Sequence, residues 1–216
     1  MRSLALVSGG IESAVLLHKL VASGRTPIAL FFDYAQRGAA HERSAALAAC
    51  ASARIAPPVC LDLRSVGEAF RASNRLHVPL PHRNLVLLSL SLGWATTHGC
   101  DELALGLTSE DFAKDSEFAA AGAVRYTTGT AEFCDHFRRM AAHVAPGVEL
   151  TLPMAHQRKH EVIREAQQLG VELSRTYSCM RACASGRHCG TCLQCEARRA
   201  AFAAAGVSEP ERFYER

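Results

Sequence analysis

Short apolar runs alternate with longer stretches of helical periodicity from the first residue onward. Leu4–Val7 has the length of a buried strand, and the turn Ser8-Gly9-Gly10 follows it. From Ile11 to Ala22 the apolar side chains Val15, Leu16 and Leu20 share a helical face, and Gly24 supplies the stop. Ile28–Phe32 predicts a second strand, His41–Arg54 an alanine-rich helix, and Val59–Leu63 a third strand. Residues 64–82 show little periodicity and contain Pro79 and Pro81, so a loop is expected there. Asn84 is placed to cap a helix over Leu85–His98, which is apolar nearly all round and so predicts burial on every side. Gly99 ends that helix, and Glu102–Leu107 reads as a fourth strand. An irregular loop over 108–130 precedes a helix at Ala131–His143, a short strand at Leu150–Leu152 and a helix at Lys159–Leu169 ended by Gly170. A cysteine-rich knuckle from Cys179 leads into a last helix, Cys195–Ala204.

Strands alternating with helices imply βαβ units, parallel pairing and right-handed crossovers. The expected fold class is α/β: a doubly wound, mainly parallel sheet over residues 1–174, with a small cysteine-rich, zinc-binding extension over 175–216.

Composition narrows the picture. The 216 residues are 49% hydrophobic and 21% charged, which excludes intrinsic disorder. A chain of this size buries roughly 70% of its unfolded surface and needs no disulfide staples. The net charge of +3 is too mild to argue for a nucleic-acid scaffold. The longest greasy run, Leu85–Ala95, is broken by Ser89, Ser91 and Gly93 and falls short of the roughly 20 apolar residues of a membrane span. The opening MRSLALVSGG lacks the pattern of a secretory signal, so a cytoplasmic protein is expected. Only three of the 24 basic residues are lysines, Lys19, Lys114 and Lys159.

Two places carry candidate chemistry. In an open parallel sheet ligands gather at the carboxyl ends of the strands, where Ser8-Gly9-Gly10-Ile11-Glu12-Ser13 stands. Glycines let the backbone approach an anion, and the following helix aims its N–H groups and positive dipole end at it. The turn is neither GxGxxG nor the Walker pattern, which ends in Gly-Lys-Ser/Thr; on its own it is also compatible with an ordinary strand-to-helix connection. The second place is Cys189-Gly-Thr-Cys192-Leu-Gln-Cys195 with Cys179 ten residues upstream. Four such thiolates complete a tetrahedral zinc site, an iron–sulfur cluster also fits the ligand type, and Cys183 competes with Cys179 for the fourth position. Cys50, Cys60, Cys100 and Cys134 read as small hydrophobes. Arg175, Arg181, Arg187, Arg198 and Arg199 around the knuckle could hold phosphates, although such a group is more often a solvated face.

The glycine turn resembles the SGGxDS pyrophosphate loop of ATP-dependent adenylating enzymes, with Glu12 at the aspartate position. Taken with the knuckle, it resembles the 7-cyano-7-deazaguanine synthase family. Phe32-Asp33-Tyr34-Ala35-Gln36-Arg37 is similar to the family's FDYGQR segment, and Pro81-His82-Arg83-Asn84 to its PGRN turn. Leu152-Pro153-Met154 with Lys159 is similar to its PLM…K stretch, and Thr176-Tyr177-Ser178-Cys179 with the CxxCxxC to its zinc knuckle. The resemblance is collinear over nearly the whole chain. The departures are Glu12 at the aspartate position, Gly38, where a histidine is common, and residues 108–130, which lack the SGYPDCR-like run that recognises the base.

The resemblance implies an adenine-nucleotide α-hydrolase-like fold that uses ATP, Mg2+ and Zn2+. The implied reaction turns a deazapurine carboxylate and ammonia into a nitrile through adenylated intermediates. It implies ATP contacts at Val7, Ser8, Gly9, Gly10, Ile11, Glu12, Ser13, Phe32 and Gly106, and substrate contacts at Tyr34, Gln36, Arg37, Arg83 and Asn84. Glu12, Arg83 and Lys159 fall at catalytic positions, and Cys179, Cys189, Cys192 and Cys195 at metal-ligand positions. A homodimer is also implied. The competing expectations are a diverged paralogue that adenylates another carboxylate or conjugates a deazaguanine to a macromolecule, a tRNA sulfur-transfer enzyme with a reactive cysteine, and a catalytically inactive nucleotide-binding module.

Overall fold

The computed structural model describes residues 1–71, 80–112, 127–209 and 213–215. Among them, five strands form one sheet in the order β3-β2-β1-β4-β5: β1 (Arg2–Leu6), β2 (Thr26–Asp33), β3 (Val59–Asp62), β4 (Glu102–Ala104) and β5 (Glu149–Thr151). Every pairing is parallel, with Leu4 opposite Ile28 on one side and Leu103 on the other. The helices are α1 (Ile11–Ala22), α2 (Ala39–Ser52), α3 (Arg64–Arg71), α4 (Arg83–Thr97), α5 (Ala131–Val144), α6 (Lys159–Gln168) and α7 (Leu193–Ala205).

Successive residues in the central strands bury opposite faces, because side chains alternate along a strand. Ala5, Phe31 and Ala104 pack under Val15 and Leu16 of α1, Ile163 of α6 and Phe202 of α7. Their neighbours Leu4, Leu30 and Leu103 pack under Leu88 and Leu92 of α4 and Phe137 of α5. With both faces covered, the strands read as continuous apolar runs. The chain builds outward from β1 to β3, then returns to the other side of β1 for β4 and β5, so the order reverses between β1 and β4. A crevice opens at that switch point.

Several expectations change. Residues 64–71 are helical rather than loop, and Pro79 lies outside the described residues. Helix α4 starts at Arg83, after His82 in a left-handed conformation (φ 48°), and Asn84 sits inside the first turn instead of capping it. Asn84 Nδ2 donates to the carbonyl of Thr128 at 2.8 Å. Nor is α4 buried all round: Leu85 and Leu90 are 42% and 40% exposed, because one face has no layer over it among the described residues. Strand β4 stops at Ala104, three residues early, as the backbone leaves the sheet to line the crevice. Within 108–130, residues 109–112 are helical and Thr127–Gly129 is a 3-10 turn; residues 113–126, including Asp115, lie outside the described set. Cys60 is exposed, on the edge strand β3, and is no core residue.

At the opposite end of the sheet from the crevice, Glu102 is fully buried. It accepts from the Ser3 hydroxyl, from Arg25 Nε at 2.9 Å and from the Thr151 hydroxyl at 2.6 Å. The carboxylate therefore ties β1, β4 and β5 together. A buried charge with its partners removed costs several kcal/mol, so Glu102→Ala, which strands Arg25 and two hydroxyls, is expected to destabilise the fold by about 3 kcal/mol. Urea unfolding monitored by circular dichroism reads this as a lowered midpoint.

Candidate active site and metal centre

The turn after β1 is shaped by contacts on both sides. Gly9 has φ 77°, and a Cβ there would lie 2.3 Å from the carbonyl oxygen of Glu42 in α2. No side chain fits that approach. From the other side, the Tyr177 N–H donates to the Gly9 carbonyl at 2.8 Å. Ser13 Oγ accepts from the Ser8 N–H at 2.9 Å and lies 3.0 Å from Ser8 Oγ, so two hydroxyls cluster at the start of α1. The first N–H groups of a helix have no partner within it, and with the dipole they favour an anion. Gly106, after β4, closes the other wall: a Cβ there would come within 3.1 Å of the Glu12 carbonyl oxygen.

These segments line one cavity of about 380 Å³. Val7, Ser8, Glu12, Ser13, Phe32 and Gly106 line it, as do Tyr34, Gln36, Arg83, Asn84 and Lys159. Gly9 and Gly10 lie behind that lining as the backbone of the turn, and Ile11 is a fully buried core residue. Arg37 is exposed and does not reach the cavity.

Lys159 Nζ meets Glu12 Oε1 at 2.8 Å, and both side chains are largely buried. Burial alone would push the ammonium down, but the carboxylates of Glu12 and Asp111 outweigh it and hold its pKa above the ordinary lysine value. The cation is thus fixed in the cavity in its charged form. Arg83 sits across the site, with Nε donating to Asn84 Oδ1 at 3.1 Å and Nη1 to the Tyr34 hydroxyl at 3.4 Å. Tyr34 is buried and its phenol is held above its usual range, by burial first and against the pull of Arg83.

Sequence reasoning missed Glu42, Asp111, Cys134 and Gln194, all of which line the cavity. Glu42 reads as one more charge on an alanine-rich helix, and only the return of α2 toward the glycine turn brings it inward. Gln194 sits in the first turn of α7, beside the knuckle.

In that knuckle Cys179, Cys189, Cys192 and Cys195 place their sulfurs within 4.8 Å of one another, and Cys183 stands outside the group. Cys192 and Cys195 sulfurs are 3.4 Å apart, and Cys189 and Cys195 sulfurs 3.9 Å. Four thiolates at about 2.3 Å from one zinc-sized ion sit roughly 3.8 Å apart, so the donor set fits a single metal ion. Backbone N–H groups converge on the sulfurs, Cys189 N–H on Cys179 at 3.4 Å and Thr191 N–H on Cys189 at 3.5 Å, as a thiolate centre needs.

The polar side chains around the knuckle are partly its core. His188 is buried, accepts from the Ser178 N–H at 3.0 Å through Nε2 and packs against Phe213, with ring centres 4.2 Å apart and planes tilted by 33°. Burial first, and then the charge of Arg198, push its pKa down to about 3. Arg198 is fully buried rather than part of a solvated face: it pairs with Glu209, donates to the Thr176 hydroxyl at 2.8 Å and lies 4.0 Å from the Phe213 ring centre. Arg199 covers the Tyr214 ring at 3.9 Å. Arg181 and Arg187 are exposed, and Arg175 faces Glu172 at 3.6 Å.

A glycine turn at the switch point of a parallel sheet, with a buried lysine and serine hydroxyls around it, marks an α/β protein with a candidate anion-binding crevice. Two solved structures share the fold. The U34-tRNA thiolase NcsA from Methanococcus maripaludis with its [4Fe-4S] cluster is 16% identical with TM-score 0.55, covering 98% of this chain and 74% of that one. NMN synthetase from Francisella tularensis is 15% identical with TM-score 0.58, covering 98% and 79%. The chain belongs to the family described as queuosine biosynthesis protein QueC, whose sequence model matches residues 2–206. The 7-cyano-7-deazaguanine synthase of Ralstonia pickettii (strain 12J) is 31% identical over 225 residues, covering 98% of each chain.

Because Tyr177 lies two residues before Cys179 and holds Gly9, the metal centre and the glycine turn are mechanically coupled. Stripping the metal with a strong chelator is expected to lower the melting temperature by more than about 5 °C. It should also weaken binding of a fluorescent ATP analogue about fivefold, the worth of roughly one hydrogen bond. Differential scanning fluorimetry and a fluorescence titration measure the two effects.

Proposed function

We propose that this protein is a 7-cyano-7-deazaguanine synthase that makes the nitrile by ATP-dependent, AMP-forming ligase chemistry. The observation that carries the reading is the convergence of the anion-binding turn, the Glu12–Lys159 pair and Arg83 on one cavity. The substrate carboxylate attacks the α-phosphorus of ATP, the bond to the bridging oxygen breaks, and pyrophosphate leaves. Ammonia then attacks the acyl carbon and AMP departs, giving the amide. The amide oxygen attacks the α-phosphorus of a second ATP and displaces a second pyrophosphate, and loss of AMP together with the two N–H protons leaves the carbon–nitrogen triple bond.

Each residue has a task in this scheme. The first turn of α1, with Ser8 and Ser13, holds the departing pyrophosphate through donors already aligned. Lys159 keeps its proton and offsets the charge that develops on the α-phosphate. Arg83 orients the substrate carboxylate for attack, and Tyr34, Gln36 and Asn84 hold the ring beside it. Mg2+, when bound with ATP, would neutralise the leaving phosphates, and Glu12 is the carboxylate in place to hold it. Zn2+ is the ion we assign to the four cysteines, where it would hold the segment over 175–216 against the nucleotide unit over 1–174.

Two of the four sulfurs belong to buried residues, Cys179 and Cys195, which supports a closed structural centre over a reactive thiol. All nine cysteines are free, in keeping with a reducing cytoplasm. No helix among the described residues is long and apolar enough to cross a membrane. A homodimer is the assembly we expect, and sedimentation velocity reads it directly.

The test is release of AMP and pyrophosphate from ATP and magnesium, with and without 7-carboxy-7-deazaguanine and ammonium, with products identified by mass. Nitrile formation coupled to AMP release is expected. Lys159→Met should lower kcat about a hundredfold or more, the scale of one lost charge-stabilising donor. AMP release without nitrile would assign the site to a different acceptor, and no AMP at all would leave a nucleotide-binding module.

A further inference from the structure

Glu42 is a carboxylate in the cavity that the reaction above leaves without a task. It sits in the first turn of α2, and its side chain enters the site between the Gly9 turn and Gln36. Its Oε2 accepts from Gln36 Nε2 at 3.0 Å. Its Oε1 occupies the space a side chain on residue 38 would need, 2.8 Å from where a Cβ would stand. Gly38, with no side chain, leaves room for this carboxylate.

The orientation of Gln36 is fixed by the backbone. Its Oε1 accepts from the Tyr34 N–H at 2.9 Å, and its Nε2 also donates to the Phe32 carbonyl at 3.0 Å. The amide can therefore only donate toward Glu42, so Glu42 is held as an acceptor. An ionised carboxylate has about four acceptor positions, and one amide donor does not exhaust them. Burial pushes this carboxyl above its ordinary range, against the opposing pull of the Gln36 amide and the Arg83 charge, so it gains from further donors. At the other end of the same wall Arg83 donates to the Tyr34 hydroxyl. One wall thus runs from a cation, through a buried phenol and a fixed amide, to a carboxylate.

We propose that Glu42 is a specificity-determining residue that reads the donor edge of the substrate ring, the ring N–H and its neighbouring exocyclic amino group. The inference rests on the proposed reaction, whose substrate carries that planar donor pair and, on the other side of the ring, the carboxylate that Arg83 orients. A site built to accept those hydrogen bonds rejects a ring without the amino group, because a buried acceptor is then left unmet.

The experiment uses the full-length, metal-loaded protein and two substrates, 7-carboxy-7-deazaguanine and its analogue lacking the 2-amino group. The wild type should prefer the first about a hundredfold or more in kcat/KM. Glu42→Gln, which keeps the shape but turns a donor toward the ring, should bring that ratio to within about threefold, chiefly by raising KM for the amino-bearing substrate. The KM for ATP should stay within about twofold. Gly38→Ala, which displaces the carboxyl without removing it, should shift the ratio the same way. Melting temperature and ATP-analogue binding confirm that each variant is folded. A ratio that survives in folded Glu42→Gln, or a rise in the ATP KM in place of the substrate KM, overturns the proposal and leaves the reaction standing. If the wild type converts neither substrate, the proposed reaction falls and this inference falls with it.

Discussion

The close approach of the Gly9 backbone to the carbonyl of Glu42, at a distance no Cβ permits, is the constraint on which the site rests. It lets the glycine turn lie flat against α2, and it leaves the Gly9 carbonyl facing the Tyr177 N–H on the other side. Three parts of the chain distant in sequence, the first turn, α2 and the cysteine knuckle, are thereby clamped into one wall. A side chain at residue 9 would separate α2 from the turn, and with it the carboxylate of Glu42 from the cavity.

The second organising feature is the Glu12–Lys159 pair. Buried ion pairs contribute little net stability, because desolvation offsets attraction. Their value here is positional: a charged lysine is kept in the cavity and aimed from the start of α6 at the start of α1. Glu102 plays the matching part at the other end of the sheet, where it joins three strands and touches no part of the site. Stability and chemistry are thus divided between the two ends of the same strands, as the geometry of parallel sheets allows.

The knuckle has a core of its own, although its composition is polar. His188, Arg198 and Thr176 are buried and satisfied by one another's neighbours: the Ser178 N–H, Glu209 and the Leu173 carbonyl. Charge counting along the chain takes Arg198 for solvated face because the carboxylate that neutralises it, Glu209, follows eleven residues later, beyond the end of α7.

Order and type of the main elements were legible in the sequence because strands buried on both faces and amphipathic helices leave periodic signatures that glycines punctuate. Ile11–Ala22 is such a case, ending at Ser23 with Gly24, the expected stop, found in the left-handed region. The glycine turn and the cysteine spacing were legible for a related reason, since local geometry imposes both. What tertiary structure alone decided is how segments meet. Arg64–Arg71 forms a helix because Gly67 lets it lie against the Tyr34 carbonyl, where a Cβ would stand 1.9 Å away. The cysteine cluster takes Cys179 and leaves Cys183 out, a choice that spacing left open. Glu42 faces inward only because α2 folds back on the turn. Local sequence sets periodicity and turn chemistry, whereas the burial of a charge or the choice of a ligand depends on partners that only the packed chain brings within reach.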